Sequence, residues 1–339
     1  MLIGKYYKGL ENIAINNVVF LTLLRYHPRW GSVKNGRSRS GEMSIKAHLT
    51  SILAVILLSC IPATAKMVVD QLGRQLELPD DPQRIVSLAP SITEIIFHLN
   101  QADRLKGATQ YSNYPSQASQ LPKVGSYIRL DLERIIALKP DLCIAIKDGN
   151  PKEIVDRLQS MQIPVYVVDP RNLETVIQTI VEIGSVLNAT ENANKLADKM
   201  RKRLKRIEAR VAKTDQRPRV FIQIGISPII SVGSQTFIHD LISRAGGVNV
   251  AAGYNAYPRF SREQVLALSP DVIIITSMAR QAVFEKVKAQ WSRWQEMPAA
   301  RDQRIFIVDS DVFDRPSPRL LDGLEMLVQL IHPHLIEQS

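Results

Sequence analysis

One stretch of this chain is written twice. "LERIIALKPDLCIAI" begins at Leu132 and "REQVLALSPDVIIIT" begins at Arg262, and a constant offset aligns Glu133 with Glu263, Ala137-Leu138 with Ala267-Leu268, and Pro140-Asp141 with Pro270-Asp271. Each copy reads as a short helix with a glutamate in its first turn, a Pro-Asp break, then an apolar run of strand length. A repeat at this spacing restricts the fold to two similar lobes.

The residues around each copy extend the match. In the first half, "RIVSLAP" (84–90) reads as a buried strand, and "SITEIIFHLN" (91–100) as a helix with Ser91 as N-cap and Glu94 as its capping-box partner. Helix 131–138, strand 141–146, a helix near 151–161 and strand "PVYVVD" (164–169) follow. Residues 173–187 and 190–213 then carry long helical periodicity. In the second half, "RVFIQIG" (219–225) is a strand, and helices 236–247 and 261–268, strand 271–276, a helix near 281–295, strand "RIFIVD" (304–309) and a helix over 317–331 come after it. Strands alternating with helices imply parallel sheets with both faces covered. The expected fold class is α/β, two βα lobes with central, mostly parallel sheets bridged by a single long helix.

Met43 opens "MSIKAHLTSILAVILLSCIPATAK", a basic start, a short apolar run and a small-x-small Ala63-Thr64-Ala65 site. That is the pattern of an export signal, and its run is shorter than the roughly 20 residues a spanning helix needs. The expected organisation is a non-native leader from a misassigned gene start (1–42), a signal peptide (43–65), an N-terminal lobe (66–188), a bridging helix (189–214) and a C-terminal lobe (215–339). Eight of the 43 Lys and Arg and two of the 33 Asp and Glu lie in residues 1–65. The remaining 35 and 31 are nearly balanced, which removes the charge argument for a nucleic-acid binder. The basic run "DKMRKRLKRIEARVAK" has interleaved acids and no aromatic, and reads as a solvated helix face. Cys60 lies in the apolar run, where lipidation is the alternative to removal with the signal, and Cys143 reads as a small core residue.

No catalytic or metal constellation is present in the sequence. His98, His239, His332 and His334 have no ligand spacing, and there is no glycine-rich phosphate loop, so nothing binds ATP. An exported two-lobed α/β chain of this kind reads as a binder, not an enzyme. Its ligand belongs in the cleft, outside the carboxyl ends of the strands. Loops there hold Tyr111, Tyr114, Tyr127, Tyr254 and Tyr257, and "DSDVFDRPSPR" (309–319) adds Asp311, Phe313 and Arg315. Such a set suits a large, flat, partly apolar ligand. An exported enzyme on this fold would have only Asp311, Asp314 and Arg315 to work with. Glu133 and Glu263 have two readings, carboxylates at positive helix ends or matching acidic knobs for a two-fold partner.

The stretches "RIVSLAPSITEIIF", "YSNYP", "LDLERIIALKPDLCIA", "YPRFSREQVLALSPDVIII" and "SDVFDRPSPR" resemble the periplasmic vitamin B12-binding proteins of ABC importers. These belong to the helix-linked, class III substrate-binding proteins, which also serve iron-siderophores and haem. The resemblance covers roughly residues 83–335. It implies a cobalamin or related corrinoid as ligand, with haem or a ferric siderophore as the alternative. It also implies an ABC permease dimer with ATPase subunits as partner, and a periplasmic location. One glutamate per lobe would dock on the permease, at Glu133 and Glu263. Tyr111 matches a family tyrosine, Tyr127 and Tyr257 stand where the family has tryptophans, and Asp311, Phe313 and Arg315 fall in the matching loop. Ile146, Ile224 and Val312 depart from family aromatics.

Overall fold

The computed structural model describes residues 65–276 and 281–335. The expected leader, Cys60 and all of the expected signal peptide except Ala65 lie outside the described residues. Strands β1 (Ala65–Val69) and β2 (Gln75–Pro79) pair as an antiparallel hairpin, which no sequence signal had indicated. Strands β3 (Ile85–Ser87), β4 (Leu105–Ala108), β5 (Leu142–Ile146) and β6 (Val165–Val168) then form a parallel sheet in the order β4-β3-β5-β6. Between them run α1 (Pro90–His98), α2 (Leu132–Ala137) and α3 (Lys152–Ser160). Every residue of β5 and β6 is buried, as continuous apolar runs in a covered parallel sheet must be.

Two helices follow before the next sheet. α4 (Leu173–Val186) starts on a capping box between Asn172 and Thr175, and α5 (Thr190–Val211) is the longest helix described, about 33 Å at 1.5 Å per residue. Asn188, at φ +56°, turns the chain between them. α5, laid against α4, is the single long helix expected between the two sheets. One stripe of α5 is buried, Ala193, Ala197, Met200, Leu204, Ile207 and Val211, at alternating steps of four and three. The rest of its surface carries the basic run, which faces solvent as expected.

The second sheet contains β7 (Arg219–Gly225), β8 (Ile229–Ser231), β9 (Val248–Asn249), β10 (Arg259–Phe260), β11 (Val272–Ile275) and β12 (Ile305–Ile307). Its path is β10-β8-β7-β11-β12, with β9 paired to β7. The strands β7, β11 and β12 are parallel and correspond to β3, β5 and β6. Where the first sheet has parallel β4, the second has antiparallel β8 and β10. Helices α6 (Phe237–Arg244), α7 (Arg262–Leu268), α8 (Gln281–Trp291), α9 (Pro298–Arg301), α10 (Ser310–Phe313) and α11 (Leu320–Ile331) complete the described chain.

The repeated Pro-Asp has a structural cause. Asp141 accepts hydrogen bonds from the backbone N–H groups of Gln83 (2.7 Å) and Arg84 (2.8 Å), just before β3. Asp271 accepts from the backbone N–H of Arg219 at 2.8 Å, the first residue of β7. The two arginine side chains reach back to carbonyls at the ends of the repeated helices, Arg84 to Lys139 (2.9 Å) and Arg219 to Leu268 (2.8 Å). Each repeat thus ties its glutamate-bearing helix to the central strand of its own sheet.

The apolar cores are not separate. One cluster runs from Leu76 through α1, α4, α5 and α6 to Leu335, so both sheets and the bridge share buried side chains. Smaller clusters line the outer face of each sheet, and Cys143 is fully buried in one of them, where burial pushes its thiol up to about 12. The shared core makes the bridge stiff, because moving one half against the other would disturb close-packed contacts.

Candidate functional site

The carboxyl ends of β3, β5, β6, β7 and β12 converge on a cleft of about 640 Å³. This is where open parallel sheets place ligands. Tyr127 and Tyr257 line it, one from each half, together with Ile146 and Ile224. Tyr127 is held by its surroundings. Asn150 donates hydrogen bonds to the Tyr127 carbonyl (2.7 Å) and to the Leu88 carbonyl (2.8 Å). Gly149 has φ +136°, and a Cβ there would sit 2.5 Å from Cδ2 of the Tyr127 ring. Only glycine leaves room for this ring position.

Two arginine-centred seams cross between the halves. In the first, Arg315 is 5% exposed and Glu94 fully buried. The Arg315 guanidinium donates to Glu94 Oε1 (2.8 Å), Asn113 Oδ1 (2.8 Å) and the Tyr111 carbonyl (2.9 Å), and also pairs with Asp311. Ser317 donates to the other oxygen of Glu94 at 2.6 Å, and Asn113 Nδ2 donates to Asp311 at 2.6 Å. Burial pushes the Glu94 carboxyl up, opposed by the hydrogen bonds from Ser317 and Arg315. The second seam centres on Arg171, which pairs with Asp148 (2.7 Å) and Asp169 (2.6 Å). Its links to the other half are long, 3.4 Å to the Gln235 carbonyl and 3.5 Å from the Tyr257 hydroxyl to Asp148.

Glu94 therefore does not cap its own helix. The N-cap of α1 is Ala89, Pro90 takes the first helical position, and no side chain caps the end. Proline there needs no partner for a missing N–H, which frees Glu94 to face Arg315.

The expected cleft residues separate into three groups. Tyr127, Tyr257, Asp311 and Arg315 line the cleft. Tyr111 is half-buried beside it, offering its carbonyl to Arg315, and its phenol is near enough to act on Tyr127. Phe313 is a correction: it is fully buried in the shared core and supports the wall from behind. Val312 is also core, so its departure from an aromatic leaves the cleft lining untouched. Tyr114 stacks under Arg319, 4.0 Å from ring centroid to guanidinium, and Tyr254 packs edge-on against Phe260.

Four functional-site groups were missed or misread in the sequence: Glu94, Asn113, Asp148 and Asp169. The loop "DSDVFDRPSPR" sets three aspartates beside its two arginines, so its charge count gave no signal of a distant carboxylate. Burial, with the charge of Asp314, pushes the Tyr127 phenol up, and burial with Asp148 does the same to Tyr257. Both stay neutral hydrogen-bonding groups. Among the described residues no cluster of His, Cys, Asp or Glu is arranged to hold a metal ion.

Glu133 and Glu263 are exposed in the first turns of α2 and α7, and among the described residues neither enters an ion pair. Asp131 caps α2, and Ser261 with Gln264 forms the expected capping box on α7. With capping supplied by other residues, both glutamates are left facing outward.

Two mostly parallel sheets on a stiff helical bridge, with a cleft between the carboxyl ends of their parallel strands, define a bilobed ligand-binding protein. The chain belongs to the periplasmic binding protein family, whose model matches residues 85–312. The vitamin B12-binding protein of Vibrio parahaemolyticus is 33% identical over 252 residues, covering 74% of this chain and 90% of that one. Among solved structures, the periplasmic vitamin B12-binding protein of Vibrio cholerae superposes with a TM-score of 0.67 at 32% identity, over 75% of this chain and 98% of that one. A periplasmic haem-binding protein from Pseudomonas aeruginosa gives 0.69 at 28% identity, over 74% and 93%. These relatives are named as binding proteins.

Proposed function

We propose that this periplasmic binding protein of the ABC-transporter type captures cobalamin or a related corrinoid in its cleft and delivers it to a membrane permease. The observation that carries the ligand is the extended likeness to vitamin B12-binding proteins at about one-third identity, over nine-tenths of the relative's length. The cleft suits that ligand: two tyrosines, one from each half, offer flat faces, and isoleucines fill the space between. The export signal is residues 43–65, and the mature protein then works in the periplasm, as an N-terminal lobe, a bridge and a C-terminal lobe.

Glu133 and Glu263 are the docking points. Matching positions in a repeated structure suit a two-fold permease, and exposed charges set orientation and association rate more than affinity. Haem is the second reading, favoured by the haem-binding neighbour. Among the described residues no histidine lines the cleft, so a haem iron there would have to take its axial ligand from a tyrosine.

The test is uptake of labelled cyanocobalamin by cells whose own B12-binding protein has been replaced by this chain. Uptake is expected with the native chain and lost with Glu133→Lys plus Glu263→Lys, while the purified variant still binds cyanocobalamin. Unchanged uptake by the double variant would refute docking through these residues. No uptake by the native chain would refute the transport role.

A further inference from the structure

The cations of the cleft are already occupied. Lys147 pairs with Asp169 at 2.9 Å, and Arg315 makes four contacts with Glu94, Asn113, Tyr111 and Asp311. Arg171, just behind, is held between Asp148 and Asp169. Asp314 differs from the other carboxylates lining the cleft. Among the described residues no cation contacts it. Its Oδ2 accepts a hydrogen bond from the Thr276 hydroxyl at 2.5 Å, and its Oδ1 is shut off from solvent with no partner. It acts electrostatically on both Tyr127 and Tyr257, so its field reaches the space between the two rings.

We propose that Asp314 is a specificity-determining residue of the cleft: its unpaired carboxylate admits ligands whose rim is uncharged and rich in hydrogen-bond donors, and turns away those whose rim carries carboxylates. This rests on the cleft being the ligand site. A carboxylate on the ligand would find no free cation there among the described residues to offset it, and unlike a protein side chain it would bring no counter-charge. A primary amide of the same size brings donors instead.

The charged groups that face Asp314 are Arg315, which favours its ionisation, and Asp311 and Asp309, which oppose it. Burial outweighs all of them and pushes its carboxyl up to about 7. A ligand carboxylate can therefore be accommodated only after Asp314 takes up a proton. At pH 8 that requirement weakens binding by about tenfold, and at pH 6 it costs almost nothing.

The experiment compares cyanocobalamin with its monocarboxylic acids, each made by hydrolysing one peripheral amide, by absorption titration of the purified chain at pH 6 and pH 8. For at least one isomer, the affinity ratio of amide to acid should rise by about tenfold between the two pH values. Asp314→Asn should remove that rise. A ratio indifferent to pH for every isomer, or a rise that survives in Asp314→Asn, overturns the proposal. Should Asp314→Asn not fold, the pH series on the native chain decides alone. If the chain ignores corrinoids, the Proposed function fails separately, and haemin against its dimethyl ester makes the same comparison. Tighter binding of the free acid than of the ester at pH 8 then overturns the filter, and binding of neither pair overturns both readings.

Discussion

The two seams between the halves are built from the same residue types to opposite effect. The Arg315 seam is buried, with four contacts to one guanidinium and a carboxylate, Glu94, that no water reaches. The Arg171 seam is half exposed, and its ties across the cleft stand at 3.4 and 3.5 Å. A charge withdrawn from water must be fully paired, whereas one left in contact with solvent tolerates loose geometry. The first seam is therefore a fastening, and the Arg171 side chain ties the halves more loosely, although the Leu173 N–H beside it donates to Asp240 at 2.8 Å. Tyr257 belongs to the looser seam.

The largest expected break in that contrast is Glu94→Ala. It leaves Arg315 buried without its main partner and should cost about 3–5 kcal/mol in denaturant unfolding. Gly149→Ala comes next. It forces alanine into a positive φ and drives a methyl into the Tyr127 ring, at about 1–3 kcal/mol, with weaker ligand binding in the same preparation. Asp148→Ala, on the loose seam, should cost no more than about 1 kcal/mol. Equal costs for Glu94→Ala and Asp148→Ala would erase the distinction between the seams.

Acid–base behaviour sharpens it further. The Asp314 carboxyl is pushed up to about 7 by burial, from an ordinary value near 4. Between those values the folded chain keeps a proton that the unfolded chain has released. Stability contributed by that proton is fully present below about pH 4 and is lost as pH rises through about 7. Asp314→Asn should therefore gain on the native chain between pH 5 and pH 8, read by urea unfolding at both. A constant difference would show that Asp314 ionises normally.

Much of the fold could be read in the sequence because its determinants are local. The apolar strands and the Ser261–Gln264 capping box each depend on residues within one turn or one strand of each other, and the Pro-Asp pairs were visible because they repeat, although their hydrogen bonds reach 52 to 58 residues back. Short strands without apolar runs, such as β4 and β9, gave no such signal, since pairing alone defines them. The cleft was half legible. Tyr127, Tyr257, Asp311 and Arg315 stood out as unusual residues in loops at strand ends. The partner of Arg315 did not, because Glu94 lies 221 residues away and also satisfies a local capping pattern. Phe313 failed for a related reason. Its neighbours Asp311 and Arg315 face the cleft, but a short helix over 310–313 turns the ring into the core.

The most direct measurement is an absorption titration with cyanocobalamin, run in parallel on the native chain and on Tyr127→Ala with Tyr257→Ala. The native chain should bind one equivalent tightly, and loss of both rings should weaken binding by about a hundredfold, at roughly 1.4 kcal/mol for each ring. Undiminished binding by the double variant, or a native chain that takes haemin and ignores cyanocobalamin, would contradict capture of a corrinoid between the two tyrosines.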